Sequence, residues 1–173
     1  MNKLTFPKTV IKRIIFVIMI FSAYLLQFIA LPASEISLAI SFLIPVGVAI
    51  SMNDREIPDL LYGALTGALW DLASPVTDGS FSFIFALLLC ISGLLTRYIL
   101  RNTLLTAVIF TLILTAVTTA INITYFRNGM TAELLSDTLI KAVLPCLIIN
   151  SLICIPTYYF CRYTAKHFHS DKN

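Results

Sequence analysis

Asp59 and Asp71 stand in an otherwise apolar stretch, IPDLLYGALTGALWDLASP, with Gly63 and Gly67 between them at four-residue intervals. A carboxylate among apolar residues can relay a proton, hold a cation or line a polar cavity, and an acid inside a membrane helix is a functional candidate for that reason. A plainer role is also open: two interfacial carboxylates at the ends of a short helix, with Asp59 favoured by the positive end of the helix dipole. At 100° per residue, Asp59, Tyr62, Gly63, Thr66, Gly67, Trp70 and Asp71 share one side, with Leu60 in the same arc. Leu61, Ala64, Leu65, Ala68, Leu69 and Leu72 fill the other. The aliphatic side is expected to face lipid and the small and polar side protein. Apolar side chains gain nothing by leaving lipid for another helix, so close association needs small residues that admit a neighbouring backbone. Gly63 and Gly67 supply such a groove, for a helix of this chain or of a partner, and Pro58 suits the first turn.

Other groups that could do chemistry are sparse. Trp70, Asn122 and Tyr125 would lie near Asp71 at the outer ends of their helices, where they could line a cavity. Gln27, Asn122 and Asn150 are amides within apolar runs, a setting in which interhelical hydrogen bonds contribute about 0.6 kcal/mol each on average. His167 and His169 fall in the last seven residues, which leaves no histidine beside the acids for nucleophilic catalysis. With Cys161 they could be pictured as metal ligands, yet no carboxylate framework surrounds them, and a solvated, flexible tail is the expectation. Cys90, Cys146, Cys154 and Cys161 read as small apolar groups rather than a disulfide framework. No enzyme activity, cofactor or metal is expected.

Positioning these residues is the task of a membrane-embedded fold. The chain has 173 residues, 58% hydrophobic and 12% charged, against about 25% charged in soluble domains. An all-α integral membrane protein with one domain, a six-transmembrane-helix bundle, follows. Crossing a hydrocarbon layer of about 30 Å takes roughly 17 to 25 apolar residues, and the spans read as 12–31, 36–52, 57–73, 80–97, 103–125 and 141–162. The third is the shortest, just long enough to cross. With six spans and a cytoplasmic amino end, Lys3, Lys8, Lys12, Arg13, Arg55, Arg97, Arg101, Arg162, Lys166 and Lys172 lie inside and only Arg127 and Lys141 outside, in accord with the positive-inside rule.

The first span reads as an uncleaved helix, since its apolar part exceeds the usual signal-peptide core and Leu31 occupies the small-residue position before Ser34. Pro45 with Gly47, and Pro145 with Pro156, are expected to kink or locally end their helices. TAELLSDTLIK, at 131–141, reads as a short interfacial helix with Glu133, Asp137 and Lys141 on one stripe. The basic inner face suits anionic headgroups, at about 1 kcal/mol per cation near the surface. Membrane lipid is therefore an expected partner, and nucleic acid is not.

The stretch IPDLLYGALTGALWDLASP resembles the signature region of the rod shape-determining protein MreD family, in which a proline precedes a helix carrying two glycines and an aspartate at four-residue spacing. Here these are Pro58, Gly63, Gly67 and Asp71. Length, six-span layout, basic amino end and short tails fit that family over essentially the whole chain. The resemblance implies a non-enzymatic scaffold of the cell-elongation machinery in the bacterial cytoplasmic membrane, needed for rod shape and lateral peptidoglycan synthesis. It implies MreC as partner and, through it, MreB, the RodA glycosyltransferase and a penicillin-binding transpeptidase. Pro58, Asp59, Gly63, Gly67 and Asp71 would then form a helix-packing or partner interface. The family is itself similar in fold to the six-helix substrate-binding subunits of energy-coupling-factor vitamin transporters, which gives the alternative function, a likeness of fold and not of ligand. The first span, IIFVIMIFSAYLLQFIAL, lacks the AxxxA stripe on which docking in those transporters relies.

Overall fold

The structure is a computed structural model that describes residues 8–30, 41–54, 59–73, 79–126 and 143–167. Among the described residues there are six helices and no strand: α1 (Lys8–Ala30), α2 (Leu43–Asn53), α3 (Asp59–Ala73), α4 (Ser80–Tyr98), α5 (Leu104–Phe126) and α6 (Leu144–His167). Four of them, α1, α4, α5 and α6, are long and apolar enough to cross a membrane, which makes this a membrane protein. Their outward faces are apolar, as Ile18, Phe83, Leu105 and Leu152 illustrate, each at least 60% exposed.

The helix ends show how the elements alternate. Lys12 in the early turns of α1, Asp54 just after α2, Arg97 in the last turn of α4, Asn102 just before α5 and Tyr158 towards the end of α6 are joined by hydrogen bonds. The end of α3 meets the start of α4 through Asp71. Successive helices therefore run in opposite directions, and the start of α1 lies at the same end of the bundle as the end of α6.

Of the expected 36–52 span, residues 36–40 lie outside the described residues. Within the described part, helix begins at Leu43, with Ser41 and Phe42 non-helical, and its eleven residues reach about 16 Å at 1.5 Å per residue, half the hydrocarbon thickness. Side chains fix this start. The N–H of Ser41 donates to Asn150 Oδ1 at 3.0 Å, and Ser41 Oγ accepts the N–H of Ile44 at 3.3 Å, satisfying one of the orphan donors of the first turn. At the other end Asp54 turns extended, with φ −89° and ψ 120°. All eleven residues of α2 are buried, and it touches each of the other five helices. No side of it is left for lipid.

Smaller differences have local causes. Pro45 is the third residue of α2 and Pro145 the second of α6, first-turn places where the missing N–H costs nothing, so neither breaks its helix. Pro156 does lie inside α6, and beside it the Thr157 hydroxyl donates to the carbonyls of Ile153 and Cys154. The last helix continues past 162 to His167, whose ring stacks on Tyr163 at 5.9 Å and 5°; this histidine belongs to a helical turn rather than to a loose tail. Residues 131–141, Pro58 and His169 lie outside the described residues.

Candidate functional site

Gly63, Gly67 and Asp71 are brought together by α4 of the same chain. A Cβ added at Gly63 would stand 2.7 Å from Ala86 Cα and 2.8 Å from the Phe85 carbonyl oxygen. One added at Gly67 would stand 2.5 Å from both the Phe81 carbonyl oxygen and Ser82 Cα. These are distances that real Cβ atoms do not adopt, so the backbones touch only because both positions are glycine, the logic of small-residue helix pairs. One turn further, Asp71 accepts hydrogen bonds from the N–H of Phe81 at 3.2 Å and from the N–H and hydroxyl of Ser82, each at 2.9 Å. The carboxylate thus caps the beginning of α4, where free N–H groups and the positive dipole end favour it. Gly79, at φ +80°, takes the left-handed conformation that brings the chain into α4.

The rest of the α3 inner face follows. Tyr62, Thr66 and Trp70 are buried; Tyr62 meets Phe16 of α1 edge-on at 6.1 Å and 84°. Trp70 packs against Phe81 and Phe85 at 6.0 and 5.8 Å. Its indole nitrogen has no hydrogen-bond partner among the described residues. Two leucines depart from the helical-wheel expectation. Leu69 is buried, whereas Leu60 is exposed, because α3 packs against α1 and α2 as well as α4 and its covered arc is rotated accordingly. The side chains of Asp59, Asn122 and Tyr125 lie outside the described residues, so the cavity proposed for Trp70, Asn122, Tyr125 and Asp71 keeps two described members, both of which face α4.

The opposite end of the bundle holds the group that sequence reading missed. Lys12 Nζ donates to Asp54 Oδ1 at 2.7 Å, with side-chain exposures of 6% and 0%. Arg97 donates to the Asp54 backbone carbonyl at 2.7 Å. Asn102 Nδ2 reaches the Met52 carbonyl at 2.9 Å and Asn53 Oδ1 at 3.2 Å. The Tyr158 hydroxyl donates to the backbone and side-chain oxygens of Asn102, each at 3.0 Å. Cations and donors thereby surround the carboxyl end of α2, where unpaired carbonyls carry the negative end of the helix dipole. Lys12 is consequently not among the headgroup cations but inside the fold. The available signal was that Asp54 is the first charge after the apolar run 36–52, on the side already assigned to Lys12.

Between the two ends runs a set of amide and hydroxyl contacts. Asn150 of α6, fully buried, accepts from Ser41 and donates to Thr115 Oγ1 of α5 at 3.2 Å. Ser41 Oγ donates to Gln27 of α1 at 3.4 Å, Thr111 donates to Cys154 Sγ at 3.3 Å, and Ser51 and Ser92 join α2 to α4 at 3.0 Å. Each joins two segments of the bundle, in the way that polar side chains fix register in a bilayer. Among the described residues no group of three or more His, Cys, Asp or Glu could hold a metal ion. Compared with family models, with curated proteins and with solved structures, the chain matches none.

Proposed function

We propose that the protein is a non-enzymatic scaffold of the bacterial cell-elongation machinery, of the MreD kind, acting in lateral peptidoglycan synthesis through MreC and, beyond it, MreB, RodA and a penicillin-binding transpeptidase. The observation that carries this reading is the Gly63, Gly67, Asp71 series, the part of the sequence that resembles that family, seated on the backbone of α4. Its role is to hold a rigid helical hairpin, so the partner meets some other face of the bundle. The bonds that Asn150, Ser51 and Asn102 make between segments of the bundle also support a body built to present surfaces. The reading places the chain in the cytoplasmic membrane as six membrane segments with both termini cytoplasmic, the short α2 and α3 lodged among the four longer helices.

Purification of the tagged protein from its native membrane tests this. Co-elution of a single-span MreC-type protein is the expected result. Its absence, together with a tightly held vitamin detected by mass spectrometry, would overturn the proposal in favour of a transporter substrate-binding subunit; Trp70 and Asp71, occupied by α4, do not favour that outcome.

A further inference from the structure

We infer that the charged end of the bundle holds the phosphate of an anionic phospholipid headgroup between Arg101 and Arg162. The inference is independent of the scaffold reading. The Arg162 guanidinium lies over the Tyr158 ring at 5.9 Å from its centroid and donates to the Tyr158 hydroxyl at 3.4 Å. That hydroxyl is itself bound to Asn102, the neighbour of Arg101 in the segment that enters α5. Arg101, in the non-helical segment before α5, and Arg162, in the last helix, therefore approach one tyrosine-asparagine joint from different elements, and both are exposed. Tyr158 is fully buried, so the platform under Arg162 is fixed and the side chain loses less freedom on binding.

Charge balance supports an anion there. The only described acidic side chain at this end, Asp54, is buried and paired with Lys12, and Arg97 is directed at the Asp54 carbonyl. Arg13, Arg101, Arg162 and Lys166 are exposed cations at the same end, which outnumber the one further acid placed here by the alternation of the helices, Asp59 at the opening of α3. The apolar outer faces of α5 and α6 continue from this end, with Leu105, Tyr159 and Tyr163 exposed, so a ligand seated here has a phosphate at one end and acyl chains along the other. A guanidinium fork matches two phosphate oxygens at once, which an ammonium does not.

Native mass spectrometry of the delipidated full-length protein tests this. Phosphatidylglycerol and phosphatidylcholine with identical chains are offered in equal amounts. The wild type is expected to retain phosphatidylglycerol preferentially, and R101A/R162A to lose that preference by about thirtyfold, the order expected for two cations beside a headgroup. The charge-conserving R101K/R162K is expected to fall well below wild type, and it supplies the reading if the alanine pair fails to fold. An unchanged ratio in either variant overturns the inference, as does full preference with lysines, which would mean a diffuse charge effect without a clamp. Thermal stabilisation by inorganic phosphate equal to that by phosphatidylglycerol would also overturn it, by making free phosphate the ligand.

Discussion

At one end of the bundle Gly63 and Gly67 let α3 and α4 meet backbone to backbone, and Asp71 closes the joint. At the other, Lys12, Arg97, Asn102 and Tyr158 extend across wider gaps to the end of α2. The first contact depends on atoms that are missing and the second on atoms that are present. Mutational tolerance should therefore be inverted between them: the glycine end rejects added volume, and the charged end rejects truncation.

Among substitutions that truncate a side chain or add a single methyl, the largest effect is expected at the charged end. Lys12→Ala leaves the Asp54 carboxylate buried without its cation, a change that costs about 3 to 5 kcal/mol in buried pairs; a thermal melt in detergent should show the loss, and Lys12→Met with Asp54→Leu should recover much of it. If the single and double variants melt alike, the pair is not what secures α1. Next comes Gly67→Ala, whose methyl would stand 2.5 Å from backbone atoms of α4. Overpacking of this kind costs about 1 to 3 kcal/mol, and Gly67→Leu should abolish the folded species on size-exclusion chromatography. Asp71→Ala should cost about 0.5 to 2 kcal/mol, the range for loss of a helix cap, with Asp71→Asn retaining part of it because an amide oxygen still accepts. The smallest change sharpens the contrast within the glycines themselves. At Gly47 an added Cβ would meet the Leu89 Cδ1 at 2.9 Å, the tip of a flexible side chain, so Gly47→Ala should shift the melt less than Gly67→Ala does. An equal shift would show that backbone contact is not the deciding feature.

What could be read from sequence divides along the same line. The inner side of α3 is legible because burial of Tyr62, Gly63, Thr66, Gly67 and Trp70 repeats with the helical period, and local spacing carries that information. The exact arc is not, since Leu69 and Leu60 depend on where α1 and α2 lie. The helical content and the long apolar segments are equally local properties. Lys12 and Asp54 are 42 residues apart, and nothing in the neighbourhood of either names the other. The late start of α2 is likewise set by Asn150, 109 residues from Ser41. An apolar run gives the length available to a helix, whereas a distant amide decides where the helix begins.

The enclosure of α2 also has a consequence for biogenesis. A segment with no lipid-facing side is emitted by the ribosome before most of what encloses it: Ser92, Asn102 and Asn150, the partners of Ser51, Met52 and Ser41, are all synthesised later. Its polar groups must wait for them, and contacts so far apart in the chain form slowly. Assembly can finish only once α6 has been made, so the central rod stays incompletely enclosed until the last helix arrives.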